Sequence, residues 1–133
     1  MDTSLKNLIV GAFRKLSYRW KPRNQAKANA KVDSALYRCA KCGCLCYEGT
    51  SEENYIEYLY QYEDYEVKGK GAMDHIVPVI DPELGFQTLD ILAERMFVPL
   101  DGWQYLCYDD HKEKSKIENE ARKVARQTRK NNV

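Results

Sequence analysis

Long apolar runs are missing from this chain of 133 residues. A membrane-crossing helix needs about 20 apolar residues, and the runs here are only a few residues long, so no segment reads as a transmembrane span. The N-terminus lacks the basic, apolar and small-residue succession of an export signal, which points to the cytoplasm. No internal repeat is present, and the length suits one domain with a modest core. Histidine is scarce. His75 and His111 are the only two, so any imidazole chemistry falls to them.

Net charge is nearly absent too, at +1, but the total hides a strong segregation. Residues 1–35 carry eight Lys/Arg against two acidic side chains, residues 47–101 three against thirteen, and residues 102–133 eight against five. Two basic ends around an acidic middle suit a polyanion bound at the ends.

Five cysteines is an odd number, and Cys39, Cys42, Cys44 and Cys46 fall within eight residues. That crowding favours metal ligation in a reducing compartment over a disulfide framework. Cys39-Ala-Lys-Cys42-Gly43 has the form of a zinc knuckle, in which two thiolates grip one ion and glycine lets amides approach the sulfurs. A tetrahedral site needs two more ligands. Cys107-Tyr-Asp-Asp110 keeps the spacing but puts a carboxylate where the second thiolate would stand; Cys44 or Cys46 can fill that position instead.

Leu5, Leu8, Ile9, Ala12, Phe13 and Leu16 recur at helical spacing and predict an amphipathic first helix. Pro22 predicts a break over residues 17–23, and Asn24 is the expected cap of a second helix running to about Leu36. Arg14, Lys15, Arg19, Lys21, Arg23, Lys27 and Lys31 make residues 1–36 a basic helical arm suited to phosphate. Residues 37–133 form the main domain, with an acidic, tyrosine-rich insert at about 49–68. In that insert Thr50 and Glu53 have capping-box spacing ahead of Tyr55, Ile56, Leu59 and Tyr62, which predicts a helix. Beyond it the pattern predicts a strand over 72–80 carrying Asp74 and His75, and a short helix capped by Thr88. A second strand over 103–107 and a polar helix from Asp110 onward complete an α+β chain.

Asp74 and His75 at a strand end, with His111 opening a basic helix, are the parts of a one-metal phosphodiesterase site. Asp74 and His111 can hold a divalent cation, Mg²⁺ or Mn²⁺, on a phosphate, while His75 takes a proton from water. A general base must be neutral at working pH, which imidazole satisfies with a reference pKa of roughly 6.5. In this role His75 touches water and little else, so its truncation is expected to spare the fold.

These residues carry a resemblance. The run from Met73-Asp-His-Ile-Val-Pro to Gly85-Phe, then Glu94-Arg-Met-Phe97, Asp101-Gly-Trp-Gln-Tyr-Leu-Cys107 and His111-Lys-Glu-Lys114-Ser, resembles bacteriophage HNH endonucleases. The likeness covers roughly residues 4–48 and 70–125, and Arg19-Trp20-Lys21-Pro22-Arg23 is similar to the family's N-terminal arm. It implies a small ββα-metal (HNH) domain with a zinc-knuckle clasp, preceded by N-terminal helices. By position it implies His75 as general base, Asp74 and His111 as ligands of the catalytic cation, and Lys114 as a phosphate-facing residue. The clasp it implies is Cys39, Cys42, Cys107 and Asp110 around Zn²⁺. Three departures stand out. Gly102 occupies the place of the family's middle Asn, leaving Asp101 as the candidate that orients the base; Asp110 replaces the fourth zinc cysteine; and the insert has no counterpart.

Residues and resemblance together point to a phage-encoded enzyme of the bacterial cytoplasm that nicks or cuts double-stranded DNA, leaving 5′-phosphate and 3′-hydroxyl ends. Arg19, Lys21, Arg23, Lys112 and Lys114 are its expected DNA contacts, and a phage packaging or replication protein is a further candidate partner. Glu52, Glu53, Glu57, Glu63, Asp64 and Glu66 repel phosphate, so the insert is expected to be replaceable by a linker without loss of DNA affinity. The alternative is a non-catalytic zinc-knuckle module that binds DNA or a phage protein.

Overall fold

Asp2 starts the first helix by accepting the Leu5 amide at 3.2 Å, and α1 runs Thr3–Ser17 in the computed structural model, which describes residues 1–132. Its Phe13 packs on Phe97, ring centroids 6.0 Å apart. The expected break is present but shorter, confined to residues 18–20, and Pro22 falls after it. The proline lies in the first turn of α2, Lys21–Asn29, where a missing amide costs nothing and the fixed φ suits the helix. Asn24 is inside α2 rather than capping it, and its amide donates to the Tyr18 carbonyl at 3.1 Å.

The second helix also ends early, at Asn29 instead of Leu36. β1, Lys31–Asp33, turns back and pairs antiparallel with β2, Leu36–Arg38. Leu36 is thereby fully buried against Leu45 and Tyr58, a gain that outweighs the helix propensity of the Ala/Lys run. β2 crosses the expected boundary at residue 36, so the basic segment shares a sheet with the cysteine-rich hairpin. β3, Leu45–Tyr47, pairs antiparallel with β2 and parallel with β4, Val67–Lys68, giving the order β1-β2-β3-β4.

A parallel pair needs a crossover connection, and the tyrosine-rich segment supplies it. α3, Glu52–Gln61, is capped by Ser51, one residue after the expected Thr50. Its Tyr58 is buried on Leu36 and Leu45, with its hydroxyl 2.8 Å from that of Ser34, and the Tyr62 hydroxyl donates to Asp33 at 2.8 Å. The segment therefore completes a core, and its replacement by a linker would remove that core's lid.

β5, Ala72–His75, and β6, Trp103–Leu106, form a separate antiparallel pair, with Asp74 opposite Gln104 and His75 opposite Trp103. The strand expected to reach residue 80 stops at His75; the Ile76 amide still reaches the Gly102 carbonyl at 3.0 Å, and the chain then bends away with Ile76 and Val77 exposed. α4, Leu89–Met96, capped by Thr88, and a 3₁₀ turn at Leu100–Gly102 return the chain to β6. α5, Tyr108–Asn131, comes directly after β6, capped by Cys107. Trp20 and Trp103 both donate their indole N–H to the Val98 carbonyl, at 2.7 and 3.1 Å, tying the α1–α2 junction to the base of β6. Among the described residues no helix is long and apolar enough to cross a membrane.

Candidate functional site

Two clusters flank the start of α5. The first is thiol. Gly43 takes φ +76° in the turn after β2, and the Gly43 and Cys39 amides bond the Cys39 and Cys44 carbonyls at 3.1 and 2.9 Å. This hairpin brings Cys39, Cys42 and Cys44 to Cys107, with all four sulfurs within 4.8 Å of one another. Four sulfurs held tetrahedrally at about 2.3 Å from an ion stand about 3.8 Å apart, and Cys42 and Cys107 lie 3.9 Å apart. The donor set and spacing are compatible with a structural metal ion.

Cys44 thus belongs to this group of four, where the resemblance names Asp110. Cys46 is buried but outside the group, and Asp110 lies beside it, its Oδ2 accepting from the thiols of Cys39 (3.2 Å) and Cys107 (3.3 Å). Hydrogen bonds from the Cys42 and Cys39 thiols hold the Asp110 carboxyl below its ordinary pKa. Burial pushes the Cys44 thiol far up and that of Cys107 up to about 12. At Cys39 burial is outweighed by the amides of Cys42, Cys107 and Lys41, which together lower its pKa.

The second cluster opens from the end of β5. Asp74, with a side chain only 11% exposed, accepts from Gln104 Nε2 at 3.0 Å and lies 3.2 Å from the Lys114 ammonium and 3.7 Å from His111 Nε2. His111 is carried here by the first turn of α5, its amide bonded to the Cys107 carbonyl at 2.9 Å, so the thiol cluster and this site share one helix start. Two donors about 2.1 Å from a shared ion stand about 3 Å apart when adjacent and about 4.2 Å when opposite. The 3.7 Å between Asp74 Oδ1 and His111 Nε2 lies inside that range, so the two atoms stand at the spacing of two ligands of one ion.

His75 is not the free-standing group expected from sequence. Its ring packs at a tilt on Trp103 with centroids 4.0 Å apart, and its Nε2 meets the Met96 carbonyl at 2.8 Å. A carbonyl only accepts, so Nε2 carries the proton and Nδ1 keeps its lone pair. Burial lowers the His75 pKa, with Arg14 and Lys114 adding to the effect against Met96 and Asp74. The group that orients the ring is therefore Met96; Asp101 is exposed and makes no side-chain hydrogen bond among the described residues. At Gly102 a Cβ would stand 2.6 Å from Val98 Cγ2, so the family's Asn has no room there.

Lys114 faces inward: its ammonium contacts Asp74, Glu118 and the His75 carbonyl, the last at 3.0 Å. Two clefts flank His75. One, of about 370 Å³, is lined by Arg14, Arg23, Lys27, Lys70, His75 and His111 among others. The other, of about 320 Å³, has Arg14, Asp74, His75, His111, Lys114 and Arg122 in its walls. Of the expected DNA contacts, Arg23 and Lys114 line these clefts, while Arg19, Lys21 and Lys112 are exposed outside both.

Sequence reasoning missed Gln104 and Met96, because each depends on how separate elements pack, and it left Cys44 as one of three candidates for the fourth position beside Asp110 and Cys46. The Lys114–Glu118 pair was readable from its i,i+4 spacing. Comparison with protein-family models, with curated proteins and with solved structures returns no match for this chain.

Proposed function

We propose that this protein is a metal-dependent endonuclease of the HNH type that hydrolyses phosphodiester bonds in double-stranded DNA. The observation that carries the reading is the convergence of Asp74, His75 and His111 from β5 and the first turn of α5 onto one cationic cleft. Asp74 and His111 would hold Mg²⁺ or Mn²⁺, which when bound supplies Lewis acidity at the phosphate. His75, neutral and tethered through Nε2, accepts at Nδ1 the proton of the attacking water. Oxygen joins phosphorus, the bond to the 3′ oxygen breaks, and that oxygen takes a proton from solvent, leaving 5′-phosphate and 3′-hydroxyl ends. Trp103 and Met96 hold the base in place, and Gln104 does the same for Asp74.

The reading assigns zinc to the Cys39, Cys42, Cys44 and Cys107 cluster as a structural ion that fixes the helix start bearing His111. Supercoiled plasmid with Mg²⁺ or Mn²⁺, parent beside His75→Gln, tests the proposal. Nicked or linear product from the parent alone supports it; intact plasmid with both ions sinks it. One observation favours a second reading: Lys114 already neutralises Asp74 at 3.2 Å. A DNA-binding or protein-binding module clasped by zinc would keep that pair permanently closed, and would bind duplex without cutting it.

A further inference from the structure

Among the described residues only three line both clefts beside the candidate site: His75, His111 and Arg14. The two histidines already have roles in the proposed reaction, and the third has none. Arg14 reaches this position through packing. Its neighbour Phe13 packs on Phe97, which directly succeeds the Met96 whose carbonyl tethers His75. The Ser17 hydroxyl bonds the Arg14 carbonyl at 2.6 Å and anchors that turn of α1, and Trp20 pins the helix end to Val98. The same contacts that seat α1 therefore set one guanidinium at the junction of the clefts.

Most of the other cations nearby are engaged. Lys114 is held by Asp74 and Glu118, Arg122 lies 4.0 Å from Glu118, Lys27 pairs with Glu48 at 3.1 Å, and Arg23 bonds Asn24 and lies over Tyr18. Lys70 lines one cleft only. Arg14 is exposed and its guanidinium has no carboxylate partner among the described residues. A planar fork of donors matches two oxygens of a phosphate, which a lysine ammonium cannot do.

We propose that Arg14 is a catalytic residue that clamps the non-bridging oxygens of the scissile phosphate between His75 and His111. The assignment rests on the endonuclease reading and adds to it a residue supplied by the N-terminal helix. The clamp acts on charge that grows toward the transition state, so its loss falls on turnover more than on binding.

The test measures cleavage of a fluorescent duplex oligonucleotide in Mn²⁺ over a range of substrate concentrations, for the parent, Arg14→Ala and Arg14→Lys. Fluorescence anisotropy with no Mn²⁺ added and no chelator gives duplex affinity, and thermal melting checks the fold. Arg14→Ala is expected to lose about 10²–10³ in kcat, with KM and duplex affinity changed by less than about threefold. Arg14→Lys keeps the charge and the helix, and is expected to recover at most about a tenth of the lost rate, because the second hydrogen bond is absent. If the parent cuts and Arg14→Lys matches it in kcat, the clamp is wrong whatever Arg14→Ala does to the fold. A kcat for a folded Arg14→Ala within fivefold of an active parent overturns it equally. A parent that leaves the duplex intact instead overturns the endonuclease reading, and this assignment falls with it.

Discussion

His75 Nε2 lies 2.8 Å from the backbone carbonyl of Met96, which fixes the tautomer of the imidazole and leaves Nδ1 to accept a proton. His75→Ala is expected to lose about 10²–10⁴ in cleavage rate and also some stability, since it strips that bond and the Trp103 contact. His75→Gln, which retains a donor for Met96, should melt closer to the parent yet be equally inactive. Because burial lowers the His75 pKa, the rate of the parent should rise with pH around a midpoint below about 6.5, and a bound cation pushes the same way. Below about pH 6.5 the unfolded chain takes up this proton before the folded one, so stability falls with acid through that window. A midpoint above 6.5, or an active His75→Gln, would remove His75 from the role of base.

Metal content should be about one zinc per chain, and Cys44→Ser should lose it while Asp110→Asn retains it. Four thiolates around one divalent ion carry excess negative charge, and Asp110 Oδ2 sits only 3.2 Å from Cys39 Sγ, so neutralising Asp110 relieves repulsion. Retention is expected to weaken in acid, because the ion must displace protons from Cys44 and Cys107, whose thiols burial raises. Chelator competition at pH 6 and pH 8 with elemental analysis checks both. Zinc retained by Cys44→Ser would return the fourth corner to another group.

His111→Ala should be inactive for a reason different from His75→Gln, namely weaker binding of the catalytic cation, so excess Mn²⁺ restores part of its rate. Lys114→Met should tighten Mn²⁺ binding, because it removes the ammonium 3.2 Å from Asp74. Calorimetric titration with Mn²⁺ reads the second effect without any need for turnover. Unchanged affinity in Lys114→Met would show that the ammonium does not compete with the ion.

The acidic face of α3 and its buried face call for separate variants. Tyr58→Ala is expected to lower stability by about 3–5 kcal/mol, as for other large aromatic truncations, since Tyr58 fills the space between Leu36 and Leu45. Changing exposed Glu52, Glu53 and Glu57 together to Gln should lower melting far less than Tyr58→Ala does, by the loss of first-turn acidic charge alone, and raise duplex affinity at low salt. A loss of affinity on neutralising those glutamates would place α3 in contact with the nucleic acid.

Gly102→Asn restores the side chain that the resemblance places there, and is expected to destabilise rather than improve the protein. Its Cβ would press on Val98, whose carbonyl holds both Trp20 and Trp103, and would disturb the Gly102 carbonyl that receives the Ile76 amide. Thermal melting decides the matter. A melting temperature equal to or above the parent's would mean that Val98 yields without cost.

Local chemistry was enough for the amphipathic α1, for the Thr88 cap and for the knuckle at Cys39 and Cys42, because each depends on residues within a turn or two of each other. The scarcity of histidine likewise singled out His75 and His111 without any structure. The end of α2 was not legible, since the choice between helix and strand for Val32 and Leu36 is made by Leu45 and Tyr58, residues distant in the chain. The register that sets Gln104 opposite Asp74, the packing that brings Cys107 to the hairpin of Cys39, Cys42 and Cys44, and the docking of Phe13 that brings Arg14 beside His75 are non-local in the same way. Spacing in a sequence reports what shares a turn or a strand; which separate elements share a site is decided by burial and packing between them.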